Sequence, residues 1–269
     1  MDDRRKTELA RHLVDLLVTE RRTTGGWLPP RLPGSRAPFE EAWAAFRALV
    51  NTREPLEPTP EFLAEQDELL RGLIAERGVT FVDDLAPAPR DTRLALWQGD
   101  ITTLAADAIV NAANSGMTGC WRPLHSCIDN AIHTFAGVQL RIECARIMAA
   151  QGHEEPTAHA KLTGAYNLPA RHVIHTVGPI AQGVPTRRDR ELLARCYEAC
   201  LDAAVAHGLA SVAFCCISTG VFGFPRDEAA PIAVRTVRAW LDAHPTTPMR
   251  VVFNVFLDED RIIYEGLLG

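Results

Sequence analysis

The sequence is short of several things. No apolar run approaches the roughly 20 residues a membrane-spanning helix needs, so no membrane partner is expected. Positive charge is in deficit: 28 Lys and Arg face 34 Asp and Glu, a net charge of −6. That removes the overall basic character that draws a protein to nucleic acid. The start, MDDRRKTELARHLVDLL, lacks the continuous apolar stretch of a secretory signal, because charges interrupt its apolar positions at helical spacing. A cytoplasmic location is therefore expected. The seven cysteines are odd in number and in that compartment are expected as thiols or metal ligands, not disulfides. There is no internal repeat, no low-complexity tract, no Lys-Ser/Thr phosphate loop to handle a triphosphate and no combined H-x-E and P-C-x-x-C signature of zinc deaminases.

What is present suits an ordinary globular protein. The 269 residues are 47% hydrophobic and 23% charged, enough for one full core plus an extension. Residues 4–22 form an amphipathic helical pattern with Leu9, Leu13, Leu16 and Leu17 on one side. After the Gly- and Pro-rich GGWLPPRLPG, helical period returns over 37–50 with Phe39, Trp43, Phe46 and Val50 in register. A third helix opens at Pro60 and closes at Gly78. Residues 1–90 thus read as a helical N-terminal extension ending in a linker, LAPAPRDT (85–92).

Over 91–269 the pattern alternates. RLALWQGD, DAIVNAAN, KLTGAYNL, HVIHTVG, SVAFCCIST and RVVFNVFL read as strands, with helices at about 127–136, 138–151, 189–208, 224–244 and 258–268. Alternation of this kind predicts an α/β fold with a mixed, largely parallel sheet. Ligands of such sheets sit outside the carboxyl ends of the strands, so the polar residues just after the apolar runs are the ones to read.

Three strand ends stand out. QGDIT places Asp100 after the first strand, and VNAAN places Asn111 and Asn114 at the end of the second. ISTGVFGFP (217–225) carries Gly220 and Gly223 and leads into a helix at Pro225. Its backbone N–H groups and the positive end of that helix would cradle a diphosphate. Each feature also has a plain structural explanation: a tight turn, a capped strand end, an N-cap.

Together, GDIT, DAIVNAAN, IDNAIHTFAG, YNLPARHVIHTVGP and ISTGVFGFP resemble the macrodomain, an ADP-ribose-binding α/β module, over roughly residues 92–268. The resemblance implies a three-layer α/β/α sandwich and specific roles. Asp100 would accept from the adenine amino group beside the Ile101 backbone. Asn111 and Asn114 would line the sugar end, with Asn114 on the distal ribose. Ser218, Thr219, Gly220, Val221, Phe222 and Gly223 would wrap the diphosphate. Phe256 would stack on adenine.

Where many hydrolytic macrodomains carry a glycine run, this sequence has SGMTGCWRPLHSC. Cys120, His125 and Cys127 offer three soft or borderline donors. Pro123 discourages helix at Arg122, and residues two apart on a helix face opposite sides, so the three converge only if 120–126 is loop. Ser126 and Asp129 have capping-box spacing, which predicts a helix from Cys127 with its thiolate favoured there. Three N and S donors suit Zn²⁺ with one open position. The alternative is two buried thiols and a hydrogen-bonded loop histidine. The departure from the glycine run resembles the zinc-containing macrodomain branch associated with sirtuin-like ADP-ribosyltransferases, which has a similar helical extension.

That resemblance implies a zinc-dependent hydrolase that removes mono-ADP-ribose from a protein side chain, with an O-linked ester to Asp or Glu as the bond. Asn114 would orient the ribose. Asp129 would orient water, or else merely cap its helix. Zinc on Cys120, His125 and Cys127 would lower the pKa of a bound water to about 7 or clamp ribose hydroxyls. The implied partners are ADP-ribose, a modified carrier protein and a sirtuin-like transferase. The alternative is a non-catalytic ADP-ribose reader with a structural zinc. His133, His175 and Cys144 read as packing. The N-terminal helices read as a buttress for the sheet, or as a docking surface for the carrier.

Overall fold

The structure, a computed structural model, describes residues 1–181 and 183–269. Three helices come first: α1 (Asp3–Thr24), α2 (Phe39–Asn51) and α3 (Pro60–Arg77). Their starts follow local chemistry. Asp2 accepts from the Arg5 N–H at the head of α1, and Thr59 caps α3 ahead of Pro60.

The remainder alternates: β1 (Thr80–Phe81), β2 (Pro87–Ala88), β3 (Asp91–Gln98), β4 (Leu104–Ala105), β5 (Ala108–Ala113), α4 (Ile128–Ala136), α5 (Val138–Gln151), β6 (Ala160–Gly164), β7 (His172–Val177), α6 (Arg187–Ala206), β8 (Ser211–Phe214), α7 (Arg226–Ala243), β9 (Arg250–Val255) and α8 (Asp258–Leu268). The main sheet has seven strands in the order β2-β3-β9-β8-β5-β7-β6. The five central strands run parallel, and β2 and β6 are antiparallel edges. The expected mixed, largely parallel sheet flanked by helices is therefore what forms. The middles of the central strands are mostly buried and apolar, as strands covered on both faces require.

Several local expectations are corrected. The segment expected as a linker contributes β2 to the sheet edge. SVAFCCIST leaves the ladder after Phe214, and the chain turns at Ser218, which has φ +66°. KLTGAYNL ends as a strand at Gly164, before Tyr166 at φ +55°. TRRDR (186–190) forms the head of α6, two residues earlier than the helix expected from 189, and Thr186 and Asp189 form a reciprocal capping box there. The N-terminal helices do not lie on the sheet. They pack on α4 and on the 3₁₀ turn at 101–103, beside the strand ends that matter, and share one continuous core with the α/β part. No helix among the described residues is long and apolar enough to cross a membrane.

Candidate functional site

The carboxyl ends of β3, β5, β8 and β9 deliver the residues singled out above. At one end of the cleft, Asn111 lies within β5, two residues before its end, and is fully buried. Its Nδ2 donates to Asp129 Oδ1 at 2.8 Å and to His175 Nδ1 at 3.1 Å. That donation fixes the tautomer: His175 carries its proton on Nε2 and gives it to Thr163 Oγ1 at 2.9 Å. Asn114, half-buried, donates to Asp129 Oδ2 at 3.2 Å and to the Gly119 carbonyl at 3.1 Å. Both oxygens of Asp129 are therefore held by amides from the strand end. Burial raises the Asp129 carboxyl to about 6 against the stabilising bond from Asn111.

Two expectations change here. The capping box does not form. Cys127 is the N-cap of α4 and makes no side-chain cap bond, while the Asp129 carboxylate faces the two amides instead. Asn111, expected among the ligand-binding residues, is fully buried, and its Nδ2 meets Asp129 and His175. His175, set aside as packing, stands behind Asn111, and buried His133 on α4 lies 3.6 Å from Asp129 Oδ1. The spacing of His133 four residues after Asp129 is the one sequence signal that puts them on the same helical face.

Cys120, His125 and Cys127 come together as expected. Their ligand atoms lie within 4.8 Å of one another, and Cys120 Sγ is 3.5 Å from His125 Nδ1. All three are half-buried on a loop without regular structure. The Asn130 N–H in the first turn of α4 favours the Cys127 thiolate, as the sequence led one to expect, but burial outweighs it. Burial pushes that thiol up to about 12, with the neighbouring Cys120 and Asp129 charges adding to it. A thiol in such a place ionises only next to a strong positive charge. Two sulfurs and one imidazole at this separation are a donor set that suits a borderline divalent ion such as Zn²⁺, and no fourth protein donor joins the group among the described residues.

The other end of the cleft is built from backbone. Ser218 to Phe224 form a compact turn closed by Phe224 N–H to the Ser218 carbonyl at 3.0 Å and Gly223 N–H to the Gly220 carbonyl at 3.0 Å. The N–H groups of Gly220, Val221 and Phe222 meet no acceptor among the described residues. Successive free N–H groups beside the start of α7 make an anion cradle. The turn is clamped from outside by Ala181 N–H on the Phe222 carbonyl at 2.8 Å. Gly178 makes room for it, since a Cβ there would lie 2.1 Å from Ser218 Oγ.

Asp100 sits at the third corner. Its Oδ1 accepts from Thr102 N–H and Oγ1, and its Oδ2 from Arg77 at 2.9 Å. Ile101 beside it is buried. The carboxylate is thus already oriented, with lone pairs left for one further donor. Phe256 follows β9 and is 71% exposed, as are Val221 at 72% and Ile180 at 59%. Large apolar side chains standing so far out around a polar cleft mark a surface for something flat and partly apolar.

The Macro domain family matches residues 110–233. A protein-ADP-ribose hydrolase of Treponema medium is 54% identical over 86% of this chain and 88% of its own. A protein-ADP-ribose hydrolase of Staphylococcus aureus is 52% identical over 84% of this chain and 85% of its own. Among solved structures, the Trypanosoma brucei macrodomain in complex with ADP-ribose superposes with a TM-score of 0.64 at 32% identity, covering 83% of this chain and 95% of that one.

Proposed function

The chain belongs to the Macro domain family, and from that membership we propose that it is a hydrolase that removes mono-ADP-ribose from modified protein side chains. The names of its Treponema and Staphylococcus relatives support the activity. The nucleotide carried by the Trypanosoma macrodomain supports the ligand. One observation in this chain carries the reading furthest. A buried carboxylate, fixed on both oxygens by Asn111 and Asn114, stands beside the three clustered metal-ligand atoms, near enough for its charge to act on Cys127.

Gly220, Val221 and Phe222 N–H groups, with Ser218, Thr219 and Gly223 completing the turn, hold the diphosphate. Asp100 and the Ile101 backbone take the adenine edge, and Phe256 its face. This binding far from the chemistry fixes the distal ribose. Asn114 orients that sugar. The Asp129 carboxylate, unable to rotate, orients the attacking water and accepts its proton. The bond cleaved is an O-linked ester to Asp or Glu. Cys120, His125 and Cys127 would hold Zn²⁺, which when bound supplies Lewis acidity at the sugar end of the cleft. A sirtuin-like transferase and its carrier protein are the partners that the loop's resemblance suggests.

The test pairs metal analysis with a de-ADP-ribosylation assay on wild type, chelated wild type and Cys120→Ala. The expected result is one zinc per chain, turnover lost by about 100-fold or more without it, and ADP-ribose affinity changed only a few-fold. Full turnover with zinc shown absent would remove the metal from the reading. Tight binding that protects the modification from release would make the protein a reader with a structural zinc.

A further inference from the structure

The loop that carries the three ligand atoms has no secondary structure of its own, yet it is tied at three places to α2, outside the α/β unit. The first tie runs to Asn51, the last residue of α2, which is 2% exposed. Asn51 Oδ1 accepts from the Leu124 N–H at 3.1 Å, and its Nδ2 donates to Thr134 Oγ1 on α4 at 3.0 Å. Leu124 stands at φ +56°, a region a leucine rarely adopts unless neighbours hold it there. It immediately precedes His125. The second tie is Arg141. Its Nε donates to the Thr118 carbonyl at 2.7 Å, and its Nη1 to the carbonyls of Val50 at 3.0 Å and Arg53 at 2.8 Å. Those carbonyls lie at the end of α2, where intrahelical partners run out. The same guanidinium lies 4.4 Å from the Trp121 ring. The third tie runs from Arg47 on α2 to Asn130 Oδ1 at 3.3 Å, and from Asn130 Nδ2 to the Arg122 carbonyl at 3.2 Å.

Leu124 is thus held directly by the carboxyl end of α2, while Thr118 and Arg122 are linked to α2 through Arg141 on α5 and Asn130 on α4, and Cys120 and His125 lie between and beside them. We propose that the N-terminal helices are part of the catalytic site, with Asn51 as a positioning residue that sets the ligand loop. This rests on the reading of Cys120, His125 and Cys127 as metal ligands. Asn51 is suited to the task because it presents an acceptor and a donor from one planar group, one to the loop and one to the helix that carries Asp129. A residue two bonds removed from a metal in this way tunes its affinity by fixing the ligand it supports.

The experiment uses the full chain and three variants: Asn51→Ala, Asn51→Asp and the isosteric Thr134→Val. Asn51→Asp keeps an oxygen for the Leu124 N–H and can accept from the Thr134 hydroxyl. Zinc affinity is read by chelator competition, ligand geometry by the cobalt–thiolate absorption of the Co²⁺ form, and ADP-ribose affinity separately. Asn51→Ala should lose about 10- to 100-fold in zinc affinity and weaken the cobalt band. Asn51→Asp should stay within about threefold of wild type and Thr134→Val fall between, with ADP-ribose affinity within about twofold throughout. Should Asn51→Ala fail to fold, Thr134→Val against wild type decides on the same readouts. Zinc affinity and kcat unchanged in the alanine variant overturn the proposal, as does an aspartate variant that melts like wild type but binds zinc as poorly as alanine. Wild type that takes up no zinc removes the ligand reading instead. The brace then stands if Asn51→Ala lowers kcat about tenfold at constant KM with rescue by aspartate, and falls if kcat is unchanged.

Discussion

The two ends of the cleft are held by opposite means. At the ribose end the contacts run side chain to side chain: Thr163 to His175, His175 to Asn111, Asn111 and Asn114 to Asp129. At the diphosphate end the contacts are backbone to backbone, from Ser218 to Phe224 and across to Ala181. A chain of side chains fixes a functional group in place but fails wherever one member is removed. A backbone cradle takes almost any side chain, and fails only where φ or close approach demands glycine.

Removing the node of the first network should have the largest effect. Asp129→Ala is expected to lower kcat about 1000-fold while leaving ADP-ribose affinity within a few-fold, because the diphosphate cradle is untouched. Single-turnover release of labelled ADP-ribose alongside direct binding separates the two quantities. A variant that loses binding as much as turnover would place Asp129 in recognition and not in chemistry.

The backbone end is tested by two glycines three residues apart. Gly223 has φ +69°, and a Cβ there would come within 3.0 Å of the Ala181 carbonyl. Gly220 has open space around it. Gly223→Ala should weaken ADP-ribose binding about tenfold, through a strain of roughly 1–2 kcal/mol, and raise KM with kcat kept. Gly220→Ala should bind as wild type. Equal loss in both would mean that the turn needs flexibility and not shape.

Much of this contrast was legible in the sequence, and the exceptions have a common cause. The cradle was visible because glycines beside a helix start leave a local mark. The convergence of Cys120, His125 and Cys127 was visible because Pro123 forbids the helix that would separate them. The capping box at Ser126 was a sound local expectation, but two buried amides compete for the Asp129 carboxylate and win. The ties from Asn51 and Arg141 to the ligand loop were invisible, since their partners lie 73 and 23 residues along the chain and no period connects them. The strand expected through Cys215 and Cys216 shows the same limit: apolar residues continue, but the turn at Ser218 ends the ladder early.

The buried imidazoles behind Asp129 give the ribose end a pH dependence that the cradle lacks. Burial lowers His175 to about 3 and holds His133 well below its ordinary value, with Arg141 charged nearby. Both stay neutral in the folded protein while the unfolded chain takes up their protons below about 6.5. Stability is therefore intact above that pH and declines as pH falls, by about 1.4 kcal/mol per pH unit for each histidine. Asp129 works the other way, since its raised carboxyl binds a proton at about 6 in the native state, and offsets one histidine between about pH 6 and 4. The net expectation is a melting temperature that drops most steeply just below pH 6.5 and more gently under 6, followed by calorimetry. A flat profile would mean that water reaches those rings.

The smallest effect belongs to the aromatic side chain at the adenine end of the cleft. Phe256 is 71% exposed and its carbonyl receives only a long bond from Gln98 Nε2 at 3.4 Å, so little in the folded chain depends on its ring. Stacking of a base on an aromatic ring contributes about 1–3 kcal/mol. At an exposed edge the lower figure applies. Phe256→Ala should therefore weaken ADP-ribose about fivefold, leave a ligand lacking adenine unaffected and leave the melting temperature where it was. The comparison of ADP-ribose with ribose 5-phosphate in the same variant isolates the ring. Loss for both ligands would mean that Phe256 shapes the loop after β9, and the adenine would then need another face, for which exposed Val221 and Ile180 are the side chains at hand.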